Sequence, residues 1–533
     1  MNTPFPADWV LAHAERDPDS PAVDSPEARL TYGDLAERMR LLSASLASAG
    51  VRPGERVVIA LPNLPATVVA GLAVHLLGAC AVEINRDWGA DAFRIMLSQI
   101  RPRGAFVLGR DARTWGDVAR ALPLRFWVVH PGPPTAGLRE ALGSATATWL
   151  REDGRLDPNE RTMPLSAASM PPVEKRIDSS ALILYTSGST GEPRGVVQTF
   201  RNIDANTRSI VQYLRLTAAD RALLILPLSY CYGRSVLQTH LFVGGSVYLD
   251  NRFMYPRVVL EALAAEGCTG LAGVPMTFEI IRRQLDLSSL SWPRLRYLTQ
   301  AGGALAPDTI RWVRRAFHPA RLFVMYGQSE ATSRLSYLPP ERAADKEGSI
   351  GIPIPGVELK VVDGEGRELA PGEVGKLIAR GDNVTLGYLD EPEETAAILR
   401  DGWLWTGDLA YRDSDGFFFH VGRSREILKI RGHRVNPVEI EHALERHPEV
   451  AEAAVVGRGN ELTGEAAAAF VVRRQGGSVG ETDLRRFCRG WLPAYKVPAT
   501  ITFIERLPRN PAGKLLRAEL AARRAAASAE EGP

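Results

Sequence analysis

Seven short apolar runs punctuate the first two-thirds of the chain: RVVIAL from Arg56, GAFVLG from Gly104, RFWVVH from Arg125, RALLILPL from Arg221, GSVYLD from Gly245, TGLAGVP from Thr269 and RLFVMY from Arg321. Between them, apolar residues recur at helical spacing. Strand-length runs alternating with helical patterns predict parallel sheets covered by helices, an α/β fold. At 533 residues the chain exceeds one ordinary core of about 150 residues, so several domains or subdomains are expected.

The 64 basic residues against 62 acidic ones leave a net charge of +2, so no strong field exists to hold a nucleic-acid backbone or an anionic bilayer. With 45% apolar and 24% charged residues, the composition is that of a folded globular protein. Cys80, Cys231, Cys268 and Cys488 lie far apart without a CxxC pair, which predicts reduced thiols in a cytoplasmic protein. The first residues lack a basic segment followed by an apolar run, so no targeting peptide is expected. Residues 66–82, ATVVAGLAVHLLGACAV, are uncharged but too short for a span of about 20 residues, and they are read as a buried helix running into a strand.

Past residue 355 the texture shifts to short strands and turn signals, with VELKVVDGEG, KLIARG and an Asp415-Gly416 turn before FFFHVGR, which predicts hairpins in a second sheet. Near Gly422 it changes again. Asn436 as N-cap, Pro437 at the first helical position and Glu439 predict a helix whose apolar face is Ile440, Ala443 and Leu444. Two further strands, a helix around Thr482 to Leu492 and a last strand complete a small α+β domain. The boundary is placed at 421/422: residues 1–421 form a large domain of parallel-sheet subdomains plus a β-rich subdomain, and residues 422–533 a small mobile one. His442 and His447 are expected on a solvated helix face.

The strongest local signal is LILYTSGSTGEPRGVVQTF, residues 182–200. An apolar strand runs into Thr186, Ser187, Gly188, Ser189, Thr190 and Gly191, followed by Pro193, Arg194 and a second apolar run. Backbone N–H groups freed by glycines form an anion nest, the hydroxyls add donors and Arg194 adds charge, so the loop suits phosphates. Pro193 and Arg194 stand where a P-loop requires Gly-Lys, and a strand is expected to follow.

TSGSTGEPRG closely resembles the phosphate loop of the adenylate-forming superfamily, which includes acyl- and aryl-CoA synthetases, nonribosomal-peptide adenylation domains and firefly luciferase. Arg194 replaces the family's usual Lys. Only seven of the 64 basic residues are lysines, so this departure follows a chain-wide bias. Other motifs follow in family order over about 500 residues: LTYGDL from Leu30, GVRPGERVVI from Gly50, QAGGA with Gly302 and Gly303 as the adenine-side loop, and MYGQSEAT with Tyr326, Gly327, Ser329 and Glu330. The resemblance implies that Glu330 serves Mg²⁺ and the phosphate side, that Asp408 of WLWTGDLA accepts both ribose hydroxyls, and that Arg423 reaches the ribose. It further implies Arg425 as hinge, Gly432 in the loop lining a thiol tunnel, and Lys514 of LPRNPAGKLLR as the adenylation lysine. For Lys429 a thioester-stage role and a solvated surface position stand level, while for Lys496 the surface position leads. GGS at residues 476–478 faintly resembles a phosphopantetheine attachment site but lacks the Asp or His before its Ser.

Physical chemistry asks for these residue types. Joining a carboxylate to ATP brings two anions together at the α-phosphorus, so the site must supply metal and positive charge. A compact ammonium on a flexible stem, as in Lys514, bridges substrate carboxylate and α-phosphate where a forked guanidinium fits differently.

LPLSYCYGRS, from Leu226, corresponds to the family's acyl-pocket motif, with Tyr230 at the gating place. Cys231 stands where amino-acid-activating relatives put Asp, which disfavours an α-amino acid, since its ammonium would lie unpaired. Tyr232, Gly273, Met325 and Tyr326 suggest a partly apolar pocket for an aryl or medium acyl acid. Arg234 is read as a salt-bridged helix-start residue before a partner for a second substrate carboxylate. The chain is therefore expected to be an AMP-forming acid–thiol ligase that uses ATP, Mg²⁺ and a pantetheine thiol of CoA, with no nucleic-acid or membrane partner. A stand-alone enzyme loading a carrier protein is the alternative, ahead of an oxygenase or amide-forming relative and of a non-catalytic nucleotide binder.

Overall fold

The structure, a computed structural model, describes residues 4–86, 90–111, 115, 125–130, 147–155, 176–187, 193–423, 428–430, 433–435, 437–460, 464–490, 492–509, 515–517 and 519–523. All seven apolar runs form strands. The chain divides into two compact units. One comprises Met1–Glu347, Gly351–Leu359 and Ala379–Leu404; the other comprises Gly348–Ile350, Lys360–Ile378 and Trp405–Pro533.

In the first unit a nine-stranded sheet runs, edge to edge, Ile352–Pro353, Ser336–Leu338, Arg321–Tyr326, Tyr297–Gln300, Gly270–Gly273, Arg221–Leu224, Ser246–Leu249, Pro21–Asp24 and Arg29–Thr31. Its interior pairs are parallel and its outer pairs antiparallel. An eight-stranded sheet runs Gly387–Tyr388, Pro193–Thr199, Ser180–Ser187, Cys80–Glu83, Arg56–Ala60, Gly104–Leu108, Arg125–His130 and Ala147–Arg151. One apolar cluster joins Val57 and Leu182 of the second sheet to Leu224, Val247 and Phe323 of the first, through Val69, Ile203 and Leu237 of the helices Pro65–Leu76, Phe200–Leu214 and Cys231–Val243. Each such side chain contributes about 1.5–3 kcal/mol by leaving water.

The stretch 66–82 resolves as expected. Pro65 starts the helix, residues Pro65 to His75 are all buried, and the chain passes into the strand Cys80–Glu83. A helix that is apolar all round must be covered all round, and His75 Nε2 hydrogen-bonds the Ala181 carbonyl oxygen at 3.0 Å. No helix among the described residues is long and apolar enough to cross a membrane.

In the second unit, residues Asp408–Arg412 pair antiparallel with Phe418–Arg423. The turn carries Gly416 at φ +85, and Asp413 Oδ1 accepts the Asp415 and Phe417 amides. Further on, Val450–Asn460 and Gly464–Arg473 form a long hairpin, Thr500–Phe503 joins it in parallel, and helices Pro437–Glu445 and Glu481–Arg489 pack against it. Ile440, Ala443 and Leu444 are buried as the helical spacing predicts, while Asn436 lies outside the described residues. His442 is exposed as expected, but His447 is not on the helix. That helix ends at Glu445, and His447 is half-buried with its ring 4.9 Å from Phe487. Lys496, read as a surface residue, has both Glu439 carboxylate oxygens 2.7 Å from its Nζ.

Arg234 sits in the helix Cys231–Val243 and bridges to Glu83 of the other sheet, 2.6 Å away, with both side chains at most 5% exposed. It is the salt-bridged helix-start arginine of the sequence reading. Gly71 makes room for it, since a Cβ there would lie 2.8 Å from Arg234 Nη2. Removing one partner of a buried pair strands the other charge. Arg234→Met therefore lowers unfolding stability by about 3–5 kcal/mol, and the double variant with Glu83→Gln recovers most of the loss. Urea unfolding of the three proteins checks this.

Candidate active site

The carboxyl ends of three neighbouring parallel strands hold one group of predicted site residues. Gly273 ends Gly270–Gly273, Gly302 and Gly303 follow Tyr297–Gln300, and Tyr326 ends Arg321–Tyr326. Loops at this edge of an open parallel sheet face a shared crevice. Gln300, fully buried, donates from Nε2 to the Gly303 carbonyl at 2.7 Å, and Gly302 adopts φ +86. At Gly327 any side chain would collide with the Ser333 carbonyl, 2.0 Å from an ideal Cβ. The motif therefore needs glycine there.

The loop after Tyr326 is irregular and, from Ala331 to Arg334, buried, and side-chain amides satisfy its carbonyls. Gln198 Nε2 donates to Ser329 O at 3.0 Å and Thr332 O at 3.2 Å. Asn383 Nδ2 donates to Ala331 O at 3.2 Å and Arg334 O at 2.9 Å, and Asn206 Nδ2 also reaches Arg334 O, at 3.1 Å. The Thr385 amide donates to Glu330 O at 2.9 Å. Thr332, a β-branched residue, is held at φ +63, where such side chains are strained.

This scaffold presents Glu330. The Tyr388 hydroxyl donates to its Oε1 at 2.8 Å, and nothing among the described residues engages Oε2. Burial, then the Glu330 charge, push the Tyr388 hydroxyl far above the usual phenol range, so it stays a donor. One carboxylate oxygen is thus oriented and the other uncommitted. Among the described residues no three acidic, His or Cys side chains converge on a metal position. That donor set fits Mg²⁺, which takes one or two carboxylates together with substrate phosphates.

The phosphate-loop segment leaves Ser180–Ser187 and enters Pro193–Thr199, the strand expected to follow it, and Ser187 pairs with Pro193. Thr186 is half-buried at the end of the first strand. Gly188, Ser189, Thr190 and Gly191, and the Ser187 side chain, lie outside the described residues. Arg194 does not stand alone. Its Nη1 lies 2.7 Å from Glu394, its Nε 3.4 Å from Glu391, and its guanidinium 5.6 Å from the centre of the Tyr388 ring.

At the expected acyl pocket, the Tyr230 hydroxyl accepts from Asn85 Nδ2 at 3.1 Å. Burial raises the Cys231 thiol, which keeps it protonated, and the Cys231 carbonyl accepts from Ser333 Oγ at 3.1 Å. Tyr232 is turned inward, its hydroxyl donating to Thr299 Oγ1 at 2.8 Å, and Met325 receives the Tyr213 hydroxyl at 3.0 Å.

In the second unit Asp408 and Arg423 are register partners on adjacent strands, with Arg423 Nε 3.4 Å from Asp408 Oδ1 and His420 Nε2 at the same distance. Asp408 is 4% exposed and follows Gly407 at φ +79. Lys429 pairs through its backbone with Arg434. The Lys429 side chain, Arg425, Gly432 and Lys514 lie outside the described residues.

The sequence reading missed Gln198, Asn383 and Tyr388. A signal existed for one of them: Gln198 interrupts the apolar run VVQTF, and a polar amide inside an apolar stretch must find partners.

The fold and these loops define an adenylate-forming enzyme. Residues 10–389 match the AMP-binding enzyme family and residues 439–514 its C-terminal domain, so the chain belongs to that family. It is 33% identical to a feruloyl-CoA synthase of an Amycolatopsis species over 96% of this chain and 97% of the relative. It is also 33% identical to a sulfoacetate–CoA ligase of Cupriavidus necator, over 96% of each chain. The solved o-succinylbenzoate CoA synthetase of Bacillus subtilis, in complex with ATP and magnesium ion, superposes with a TM-score of 0.81 at 26% identity, covering 96% of this chain and 99% of that one. The protein is an ATP-dependent, AMP-forming CoA ligase. It activates a carboxylic acid with ATP and Mg²⁺ to an acyl-adenylate and passes the acyl group to CoA.

Asn383→Ala leaves the Ala331 and Arg334 carbonyls short of donors in a buried loop. Stability falls by about 1–3 kcal/mol, measured by urea unfolding, and ATP–pyrophosphate exchange falls with it because Glu330 loses its footing.

Proposed function

We propose that the two stages of the reaction are divided between the segment 1–421 and a mobile domain of residues 422–533. In the first stage Thr186, Ser187, Gly188, Ser189, Thr190, Gly191 and Arg194 cradle the ATP phosphates. Gly302, Gly303, Tyr326, Gly327 and Ser329 line the adenine and phosphate side, and Asp408 and Arg423 hold the ribose. Glu330 holds Mg²⁺, which when bound neutralises charge on the phosphate oxygens. The observation that carries this part is the half-committed Glu330 carboxylate, oriented by Tyr388 and carried on a loop fastened to the exit strand of the phosphate segment. Lys514 bridges the acid and the α-phosphate.

In the second stage the small domain turns about Arg425, withdraws Lys514 and brings Gly432 and Lys429 to the thiol. Tyr230, Cys231, Tyr232, Gly273 and Met325 border the acid. The cytoplasm is the proposed compartment, supported by four cysteines that are all free. A carrier-protein phosphopantetheine in place of CoA is the second acceptor to test, by comparing CoA with a holo-carrier in a thioester assay.

Lys514→Ala abolishes ATP–pyrophosphate exchange, a loss of at least 100-fold of the kind expected for a group serving the transition state, while thioester formation from preformed acyl-adenylate persists. Equal loss of both steps would refute the division. Measuring both on one preparation decides it.

A further inference from the structure

Three arginines among the described residues are more than nine-tenths buried: Arg38, Arg234 and Arg334. Two have carboxylate partners. Arg38 lies 3.6 Å from Asp34 and 3.4 Å from Asp153, and Arg234 lies 2.6 Å from Glu83. Arg334, 2% exposed, has no carboxylate within ion-pair distance among the described residues. Its contacts are neutral. Nη1 donates to Ser333 Oγ at 2.6 Å and Ser333 O at 3.3 Å, Nε meets Met325 Sδ at 3.4 Å, and the guanidinium stacks 4.1 Å from the Tyr232 ring centre. The Tyr213 hydroxyl is a further neighbour. A cation taken out of water without a counter-charge is unfavourable unless something else supplies the anion.

Arg334 lines an interior cavity together with Ser235, Thr239, His240, Thr299 and Met325. The rest of the lining is largely apolar, with Ile210, Leu214, Ala222, Val236 and Ala272, and its polar groups are hydroxyls, one imidazole and one guanidinium, with no acidic side chain. His240 is held neutral by burial, with Nδ1 2.8 Å from the Val236 carbonyl and Nε2 2.8 Å from the Tyr297 hydroxyl. Donors and positive charge without an acidic neighbour suit an anion.

Met325 belongs both to the proposed acid-binding residues and to the lining of this cavity. Cys231, Ser235 and Thr239 recur every four residues on one face of their helix, each step advancing about 6 Å. Ser333 ties the first two together, its hydroxyl bonding the Cys231 carbonyl at 3.1 Å and lying 3.2 Å from Ser235 Oγ, and it also receives Arg334. An acid whose reacting carboxylate lies near Cys231 would thus carry its far end to Arg334.

We infer that Arg334 is a specificity-determining residue and that the acid activated here bears a second anionic group, a carboxylate or sulfonate, at the end of a short chain. The inference rests on the CoA-ligase assignment and on the proposed acid pocket, and it extends them to a substrate class. The distal anion pairs with the guanidinium in a forked, charge-assisted geometry and completes its hydrogen bonding with the Ser235 and Thr239 hydroxyls.

The test is ATP–pyrophosphate exchange by the full chain with glutarate, adipate and 4-sulfobutanoate against pentanoate and hexanoate, for the wild type, Arg334→Met and Arg334→Lys. Thermal shift with each acid alone runs in parallel. The wild type is expected to favour a doubly anionic acid at least tenfold in kcat/KM. Arg334→Met reverses that preference through the KM of the diacid, and Arg334→Lys keeps part of it. The sulfonate arm tells which anion fits better. A wild type that prefers the monoacids, or an Arg334→Met that moves both acid classes equally, overturns the inference and leaves the ligase assignment intact. Absence of exchange with every acid instead counts against the ligase assignment, and then diacid-specific thermal stabilisation of the wild type alone decides whether Arg334 binds the second anion. Should Arg334→Met not fold, the wild-type ratio and Arg334→Lys decide.

Discussion

The site rests on one requirement: the polar backbone groups of an irregular loop need partners wherever water is excluded. The segment from Tyr326 to Arg334 is neither helix nor strand for most of its length, yet Ala331 to Arg334 are buried. Four side-chain amides do what a ladder would do elsewhere. Gln198, Asn206 and Asn383 donate to its carbonyls, and Asn202 donates to Asp382 O and Val384 O at 2.7 Å each, fixing the neighbouring loop that carries Asn383. Asn202 also closes the capping box that starts the helix Phe200–Leu214, exchanging hydrogen bonds with Thr199. One helix start, one strand and two loops are thus locked together. Such over-determination lets Thr332 keep its strained conformation.

Charge is distributed by the same logic. This chain has 57 arginines beside its seven lysines, and the guanidinium's fork suits it to fixed pairs. Arg234 with Glu83 pins a helix to the opposite sheet, and Arg38 fastens its helix to Asp153. Arg194 belongs to the same class as it stands here, with Glu391 and Glu394 both on it. In its proposed role Arg194 would meet the ATP phosphates as an arginine that already has acidic neighbours, whereas a lysine at this place would present a more hydrated point charge.

Much of the fold was legible because strand-length apolar runs and helical spacing are local signals that tertiary packing reinforced rather than overrode. The stretch 66–82 was readable from its length and prolines. His447 was misplaced because a spacing argument does not see where a helix ends, and three residues past Leu444 the chain has already turned to set that ring against Phe487. In the site, glycines and acidic residues stood out because turns and metals demand particular residue types. The residues that brace them stood out less: Gln198 interrupts an apolar run, but nothing local tells that its amide reaches two buried carbonyls 131 and 134 positions away. Arg334 was hidden likewise, for only the structure reveals that a basic residue lacks its acid.

Tyr388 joins these strands of argument. Its ring lies beneath the Arg194 guanidinium and its hydroxyl holds Glu330, so one side chain touches both the cation beside the phosphate segment and the carboxylate suited to Mg²⁺. Any shift of Arg194 away from Glu391 and Glu394 toward an incoming nucleotide changes the field at the Tyr388 ring, and with it the strength of the hydrogen bond on Glu330. A lysine in place of Arg194 would stack less well on that ring. In the proposed role of Arg194 the arginine is more than a conservative replacement, because Tyr388 stands in contact with both its guanidinium and the Glu330 carboxylate.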